Sequence, residues 1–335
     1  MQFIYSEEQT EFERLIGGCR HINAFGKIVT GDADRLVDVL EKCGVPPQTT
    51  VYINSTGGDL EEGLKIGCVI RAYNLETSIG TYTLEPPQGD VPMAARTLTP
   101  GVCFSAATMA FAGGRLRHYP KGSRFGVHRF VFAQTDPADI ERSQELSASI
   151  AKFLEQMGVS LTFLQASAGV PNDKLCEMDE IALREHGVVT GGQTDVEWGT
   201  EIRNNMMYVR GIRDSIFGKH KVMLAHANDA GFMFFAVIEA QGRQKELCDF
   251  GLVEIVVNGE DHRIDISERC ERLPNDVDVV LISNISNEEA ALIAYSKSFG
   301  VQIRFGSEAE MFLGVSAMDT TGGEDSLITL YKNMS

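Results

Sequence analysis

The sequence predicts an α/β domain followed by a β-rich domain. In the first quarter of the chain, runs of strand type alternate with helical stripes, and this order favours a parallel sheet with helical crossovers. After about residue 195 the chain changes to short strand-type runs separated by turns. The length of 335 residues is typical of two domains. We therefore expect an α/β domain over residues 1–195, with its core at about 22–192, and a β-rich domain over residues 196–335.

Each element at the start of the first domain has its own signal. Residues 1–24 are predicted to form a short acidic helix and a lead-in, and NAFGKIVTGD a strand. DADRLVDVLEKCG has apolar residues at helical spacing and a glycine stop. VYINSTGG, residues 51–58, predicts a strand that ends in a glycine turn. The next helix, 59–74, is expected to begin at Asp59, because aspartate is a good helix cap, and TSIGTY predicts a further strand.

Composition and spacing predict the rest of the first domain. Residues 82–100 contain four prolines and are expected to form a loop insertion. Residues 102–114, VCFSAATMAFAGG, are apolar and rich in small residues, and GSRFGVHRF then predicts a strand. Apolar residues at near-helical spacing predict a long helix over 138–157. A last helix is expected within EIALREHGVVTGG, residues 180–192.

The second domain is predicted to be a β-sandwich or barrel-like. Eight strand-type runs follow residue 195, among them KHKVMLAHA, GFMFFAVIEA and DVDVVLISN, and one helix, NEEAALIAYSKSFG, is expected to interrupt them. This part of the sequence has no ordered His–Ser–Asp set, no metal-ligand spacing and no glycine-rich phosphate loop. We expect the domain to contribute recognition, assembly or stability and no catalytic residue.

The charge balance excludes several classes of partner. The chain has 30 Lys and Arg against 47 Asp and Glu, a net charge of −17. A nucleic-acid partner is not expected, because such affinity comes largely from Lys and Arg that neutralise phosphates, and an anionic membrane surface is disfavoured for the same reason. No membrane span is predicted, since no stretch approaches eighteen apolar residues. The sequence as written predicts a cytoplasmic protein, or a periplasmic one if a signal peptide has been removed.

Neither a metal nor a cofactor is predicted. The seven cysteines include no CxxC pair, and several lie in apolar runs, which indicates reduced, mostly buried thiols rather than a disulfide framework. The sequence has no HExxH motif and no Cys/His ligand spacing, so no metal site is expected. It also has no GxGxxG motif and no P-loop.

Three features of the first domain together resemble the parts of an acyl-transfer site. The strand VYIN runs into STGG, a turn that exposes backbone N–H groups. Ser105 lies at the start of an apolar helix, where a developing negative charge is favoured. His128 follows at the end of a predicted strand. Each feature alone is more often a turn, a helix cap or a core histidine, whereas a serine, a histidine and an N–H donor loop in this order point to nucleophilic catalysis.

These motifs resemble the proteolytic subunit of Clp protease, within the Clp-protease/crotonase-like fold, from about residue 22 to about 192. VYINSTGGDLEEGLKI is similar to the family's INSPGG turn and following helix, with Thr56 in place of the usual proline. CFSAATMAFAGG resembles the nucleophile segment, GSRFGVHRF the histidine strand, ADIERSQELSASIAKFLEQMG the long handle helix and EIALREHGVVT the closing helix. A closer likeness is to predicted bacterial Clp-like proteins that join this fold to a second domain. The resemblance implies a spiral of βαβ units.

The resemblance also implies the roles of individual residues. Ser105 would be the nucleophile and His128 the general base. The N–H groups of Gly57 or Gly58 and of Ala106 would form the oxyanion hole, which stabilises the negative charge of the tetrahedral intermediate.

The third member of the catalytic set is left open. Asp173, in VPNDKL, is the first choice and Asp179 the alternative. An aspartate there would orient the His128 ring and stabilise its cation. Asp173 is equally well read as a loop or helix-cap residue, and a Ser–His dyad without a carboxylate is a further alternative.

We expect a Clp-like serine hydrolase, a peptidase acting on peptides or unfolded proteins. The insertion at 82–100 would then line or cover the substrate cleft. A homo-oligomer is expected, because family members assemble in rings and the stripe at 140–157 is more apolar than a free surface helix needs. An ATP-driven unfoldase would be a separate protein. The alternatives are an inactive binding or assembly module whose β-rich domain recognises a partner, and a crotonase-type acyl-CoA enzyme, which needs no Ser–His pair.

Overall fold

The structure is a computed structural model of the 335-residue chain. It describes residues 1–8, 10–11, 13, 20–85, 94–129, 137–171, 174–203, 205–259, 261–309 and 311–335, with the backbone alone over 137–143. The chain divides into two compact units, Met1–Gly192 and Gln193–Ser335.

The first unit mixes helices and strands throughout its described residues. In chain order they are β1 (Gln2–Ser6), β2 (His21–Phe25), α1 (Asp32–Cys43), β3 (Thr50–Asn54), α2 (Leu60–Ala72), β4 (Glu76–Ile79), β5 (Thr81–Leu84), β6 (Arg96–Thr99), β7 (Val102–Phe104), α3 (Ala107–Ala112), β8 (Arg117–His118), β9 (Arg124–Val127), α4 (Pro137–Gln156), α5 (Leu161–Ala168), β10 (Cys176–Met178) and α6 (Glu180–Glu185). The predicted α/β class is confirmed at this level.

The main sheet of the first unit has the strand order β1-β2-β3-β4-β8. Strands β2, β3, β4 and β8 are parallel, and α1 and α2 connect the first three, as the alternation of strands and helices predicted. The Asp59 carboxylate accepts the Glu62 N–H at 3.1 Å and caps α2, as predicted. The expected acidic helix is wrong for residues 2–6, because the apolar and aromatic side chains of QFIYS pair as a strand against β2.

The glycine turn after β3, residues 55–58, extends the main sheet by pairing with Ile28. The Ile28 N–H donates to the Gly57 carbonyl at 2.9 Å, and the Asp59 N–H donates to the Ile28 carbonyl at 3.1 Å. These two bonds make a parallel bridge between Ile28 and Gly58. Gly58 lies between Gly57 and Asp59, the two residues that bond to Ile28. Its own N–H is therefore directed away from Ile28.

The same turn is bonded on its other side to the segment that leads to Ser105. The Ser55 N–H donates to the Val102 carbonyl at 2.8 Å, and the Phe104 N–H donates to the Ser55 carbonyl at 3.0 Å. Val102–Phe104 is strand β7, which belongs to a second sheet with the order β10-β9-β7. The turn therefore joins the two sheets.

Helix α2 packs closely against α3 because glycines lie at the contact. A Cβ atom built on Gly63 would be 2.5 Å from the Ala106 carbonyl oxygen, and one built on Gly67 would be 2.6 Å from the Met109 carbonyl oxygen. Since real side chains do not tolerate such distances, the position of α3 depends on these two glycines.

Helix α4 confirms the long helix predicted over 138–157. The last part of its apolar stripe, Ile150, Phe153, Leu154 and the adjoining Met157, is buried in the core of the first unit. These residues pack against other residues of the same chain, so their apolar character does not by itself require a second copy of the protein.

The segment 82–100 is not simply the loop that its prolines predicted. Strands β5 and β6 pair antiparallel, with Thr81 opposite Thr99 and Leu84 opposite Arg96. The Arg96 guanidinium donates to the buried Glu13 carboxylate at 2.7 Å. The alternating threonines that form this hairpin are a strand signal that the flanking prolines obscured.

The second unit is dominated by antiparallel strands. In chain order its described elements are β11 (Glu197–Arg203), β12 (Met206–Ser215), β13 (Gly218–Ala227), β14 (Gly231–Glu239), α7 (Gln244–Asp249), β15 (Leu252–Val257), β16 (His262–Asp265), β17 (Glu271–Asn275), β18 (Asp278–Asn284), α8 (Asn287–Ala294), β19 (Ser298–Arg304), β20 (Leu313–Asp319) and α9 (Glu324–Met334).

A six-stranded sheet, β11-β12-β13-β14-β18-β17, and a four-stranded sheet, β16-β15-β19-β20, contribute to one core. Phe234 and Leu281 from the first sheet and Phe299 and Val301 from the second are fully buried. The predicted β-rich character is confirmed. The expectation of one helix is wrong, because α7 and α9 accompany α8 and Leu327 of α9 also enters the core.

Two general properties of the described residues bear on function. None of their helices combines the length and the hydropathy that crossing a bilayer requires. Within the same residues, no three or more His, Cys, Asp or Glu side chains lie together as a possible metal site.

Candidate active site

Ser105 occupies a sharp connection between β7 and α3. Its φ is +55°, in the left-handed region that residues with a Cβ rarely adopt. The Ser105 N–H donates to the Gly126 carbonyl of β9 at 3.0 Å. The Ser105 carbonyl accepts the Thr108 N–H at 2.9 Å and the Thr108 hydroxyl at 2.7 Å. These bonds hold a strained backbone, and such strain in native structures is concentrated at functional sites.

The Ser105 side chain is half-buried and uncommitted. Its hydroxyl has no hydrogen-bond partner among the residues that the structure describes. A buried structural serine normally bonds to a nearby backbone group, so an unbonded hydroxyl on a strained turn fits a nucleophile better than a cap. The expected position of Ser105 at the start of a helix is confirmed by α3.

The glycine turn lies against Ser105. A Cβ atom built on Gly57 would be 2.8 Å from the Ser105 Cβ and 3.0 Å from the Ala106 nitrogen. The two segments that the sequence singled out, STGG and the residues around Ser105, are therefore in direct contact.

Hydrogen bonding distinguishes the two glycines, Gly57 and Gly58, that were named for the oxyanion hole. The Gly57 N–H donates to the Ser55 hydroxyl at 3.1 Å, so it is already used. The N–H groups of Gly58 and Ala106 have no acceptor within the described part of the chain. The Gly58 N–H points away from Ile28. Gly58 and Ala106, rather than Gly57, therefore present the available donors.

His128 follows directly after β9, two residues beyond the Gly126 that binds the Ser105 N–H. Its Nδ1 lies 2.8 Å from the Arg129 carbonyl oxygen. Because a carbonyl can only accept, this contact requires the hydrogen on Nδ1 and leaves the lone pair of a neutral ring on Nε2. No hydrogen bond joins His128 to Ser105, both of which the structure describes.

The two aspartates that the sequence offered as partners of His128 have different outcomes. Asp173 lies outside them. The alternative, Asp179, is the N-cap of α6: its carboxylate accepts the Ala182 N–H at 2.9 Å. Asp179 is exposed and makes no hydrogen bond to His128, so the structure assigns it a capping role.

Cys103, two residues before Ser105, is not a rival nucleophile. It is fully buried, and this burial raises the pKa of its thiol far above the usual range. The thiolate, which is the reactive form, is therefore disfavoured.

Ser55 and Gly126 belong to the site but were not selected from the sequence. Ser55 was included in the STGG turn without a role, although a small polar residue before two glycines is a signal for a local side-chain-to-backbone bond. Gly126 contributes only its carbonyl oxygen, which no sequence pattern distinguishes. A comparison of the chain with protein-family models found no match, and a comparison with curated proteins found none either.

Proposed function

We propose that the first unit is a Clp-like serine hydrolase that cleaves peptides, built on a Clp-protease/crotonase-like arrangement of βαβ units. The observation that carries the proposal is Ser105 itself: a strained, half-buried serine whose hydroxyl, like the nearby N–H groups of Gly58 and Ala106, has no hydrogen-bond partner among the described residues. Acyl transfer requires a nucleophile with nearby backbone donors that can stabilise the negative charge on the carbonyl oxygen.

In the proposed reaction the Ser105 Oγ attacks the peptide carbonyl carbon, and its proton moves to Nε2 of His128. The carbonyl oxygen becomes negatively charged and accepts hydrogen bonds from the Gly58 and Ala106 N–H groups. The C–N bond then breaks, and His128 returns its proton to the leaving amine. Water next attacks the acyl-enzyme and gives a proton to His128. The bond between the acyl carbon and Oγ breaks, and the proton returns to Ser105.

The bond between His128 and the Arg129 carbonyl supports the role of base. It fixes the tautomer that leaves Nε2 as the proton acceptor, which in many hydrolases is the task of an aspartate. A Ser–His pair with the Arg129 carbonyl oxygen at Nδ1 is therefore one form of the proposed site, and Asp173, the first choice for a carboxylate, lies outside the described residues. In this proposal Ser105 and His128 come into hydrogen-bond contact when substrate binds, since catalytic contacts are often loose without substrate.

Assembly and partners belong to the same proposal. A homo-oligomer and a separate ATPase partner follow from the family resemblance rather than from contacts within the chain. The hairpin of β5 and β6, which ends shortly before β7, would line or cover the substrate cleft. The second unit, Gln193–Ser335, would contribute recognition or stability.

One observation favours the alternative of an inactive binding or assembly module. The Ser105 hydroxyl and the His128 ring share no hydrogen bond, although the structure describes both residues. In that case the strained turn would be only a structural feature of the connection between β7 and α3, and Ser105 would show no enhanced reactivity.

Labelling with a fluorophosphonate distinguishes the two functions. We expect the wild-type protein to be phosphonylated at Ser105, identified by mass spectrometry of the labelled peptide, and to hydrolyse p-nitrophenyl butyrate. Ser105→Ala should remove both signals, with a loss of several orders of magnitude in turnover. Ser149→Ala, which changes an exposed serine of α4, is the control and should keep both. No labelling of the wild type, or equal labelling of Ser105→Ala, would contradict the proposal.

A further inference from the structure

We propose that Ser55 is the positioning residue of the oxyanion hole. By accepting the Gly57 N–H, its hydroxyl holds the peptide between Thr56 and Gly57, and with it the turn that presents the Gly58 N–H to the substrate carbonyl oxygen. The inference rests on the proposed function, because a donor is positioned for catalysis only if Ser105 attacks a carbonyl group.

The Ser55 hydroxyl is buried, and it both donates and accepts a hydrogen bond. The side chain belongs to a residue that is 2% exposed. Its Oγ donates to the Gly26 carbonyl at 2.7 Å and accepts the Gly57 N–H at 3.1 Å. A hydroxyl has one hydrogen to donate, so these bonds define its orientation and, through it, the orientation of the Gly57 N–H.

The backbone of Ser55 is anchored to the strand that carries the nucleophile. Its N–H and carbonyl bond to Val102 and Phe104 of β7 at 2.8 and 3.0 Å. Ser55 therefore holds the glycine turn with its side chain and the approach to Ser105 with its main chain. The distance between the two parts of the site depends on this residue.

The bond from Gly57 to Ser55 decides which amide is available to substrate. The Gly57 N–H donates to the Ser55 hydroxyl, and the Gly57 carbonyl accepts the Ile28 N–H. These two bonds fix the orientation of the peptide that joins Gly57 to Gly58. The peptide is trans and planar, so its N–H, that of Gly58, must point opposite to the Gly57 carbonyl. Without the hydroxyl, the buried Gly57 N–H would seek another acceptor, and the turn could rotate because glycine permits it.

Loss of this constraint would slow the chemical step more than it weakens binding. The charge on the carbonyl oxygen develops only in the transition state, so a displaced donor lowers kcat and leaves KM nearly unchanged. Removing a donor outright costs about 100- to 1000-fold in kcat in comparable sites. Since Ser55 acts through Gly58, we expect a smaller loss, about 10- to 100-fold.

Three substitutions of Ser55 test the proposal with p-nitrophenyl butyrate as substrate. Ser55→Ala removes the hydroxyl, Ser55→Cys nearly preserves the volume but forms weak hydrogen bonds, and Ser55→Thr preserves the hydroxyl. Ser123→Ala is the matched control, because Ser123 is also buried and donates to a backbone carbonyl, that of Ile79, at 3.1 Å. Circular dichroism and the thermal midpoint of each variant report whether the fold is retained.

We expect the alanine and cysteine variants to lose 10- to 100-fold in kcat with KM within about twofold, the threonine variant to recover most of the loss, and the control to keep wild-type kcat. If the alanine variant does not fold, the cysteine variant decides. Wild-type kcat in a folded alanine or cysteine variant, or a loss confined to KM, would overturn the role of Ser55 and leave the proposed hydrolase intact. A wild-type protein that fluorophosphonate does not label would overturn both.

Discussion

Gly57 lies so close to Ser105 that position 57 has no room for a side chain. A Cβ atom there would be 2.8 Å from the Ser105 Cβ and 2.7 Å from the Phe104 carbonyl oxygen. Gly57 also has a φ of +95°, which disfavours any residue with a Cβ. Two independent constraints, one of backbone conformation and one of space, therefore act on the same glycine.

Gly57→Ala should separate these two constraints when it is compared with Gly31→Ala. Gly31 has a similar φ of +87° but no atom within 4 Å of a built Cβ, so its replacement carries only the backbone cost, about 1 kcal/mol. Gly57→Ala adds overpacking of about 1–3 kcal/mol and should also displace Ser105. Urea unfolding of both variants measures the difference. If the two variants lose the same stability, the structure around Ser105 accommodates the added Cβ without a cost in free energy.

Ser105→Gly should make the protein more stable than Ser105→Ala, although both lack the nucleophile. Glycine adopts a φ of +55° without the steric cost that alanine has there, so we expect a difference of about 1 kcal/mol. Ser149 in helix α4 is the control with the opposite sign: glycine should be less stable than alanine there by about 1 kcal/mol. The thermal midpoints of the four variants test this. A Ser105→Gly variant less stable than Ser105→Ala would contradict the strain at this position.

The features that could be predicted from the sequence are those that local pattern encodes. The alternation of apolar stripes and strand-type runs predicted α1, β3, α2 and β4, and Asp59 predicted the start of α2. The strand predicted over NAFGKIVTGD coincides with β2 only at the last three residues of β2. The contact between STGG and Ser105 was predicted only from the combination of motifs and the family resemblance, because the two segments are about fifty residues apart and meet through tertiary pairing.

The features that could not be predicted depend on hydrogen bonds whose partners are distant in sequence. The sequence left Gly57 and Gly58 equivalent, and the Ser55 hydroxyl distinguishes them by accepting one of the two N–H groups. Asp179 looked like a catalytic alternative but caps α6, since its carboxylate bonds three residues ahead. The apolar stripe of α4 predicted an oligomer, yet its described buried residues pack in the chain's own core. The homo-oligomer stays a prediction.

Arg117 should be one of the residues of the first unit least tolerant of substitution. Its buried guanidinium donates to backbone carbonyls at the ends of several elements, at distances of 2.7–3.2 Å: those of Ala112, Gly114, Met157, Gly187 and Val188. Lysine keeps the charge but cannot reproduce a planar fork of five donors. Arg117→Lys should therefore lower the free energy of unfolding by about 3 kcal/mol or more.

Arg184→Lys is the control for this prediction. Arg184 is exposed and pairs with Glu180 on the same helix, an interaction that contributes less than about 1 kcal/mol. Chemical denaturation of both variants gives the comparison. If Arg117→Lys lowers the free energy of unfolding as little as Arg184→Lys does, the bonds from Arg117 to the five carbonyl groups add little to stability.

Tyr52 should make the folded protein less stable at alkaline pH. Burial, together with the neighbouring Tyr82 and Glu76, raises the pKa of Tyr52 from 10.0 to about 12, and its ring stacks on Tyr82 with centroids 4.8 Å apart. Between these two pKa values the unfolded chain releases the Tyr52 proton while the folded chain retains it. The stability that Tyr52 contributes is therefore fully present below pH 10 and is lost as the pH rises through 12, at up to about 1.4 kcal/mol per pH unit.

Tyr52→Phe should reduce this alkaline loss, because phenylalanine has no proton to release and its ring can still stack. Urea unfolding at pH 9 and at pH 11 gives the change in free energy of unfolding for each protein, and Tyr295→Phe, at an exposed tyrosine of the second unit, is the control that should keep the wild-type dependence. The absorbance of tyrosinate at 295 nm follows the ionisation directly. If Tyr52→Phe loses as much stability as the wild type between the two pH values, the raised pKa of Tyr52 is not the cause of the alkaline loss.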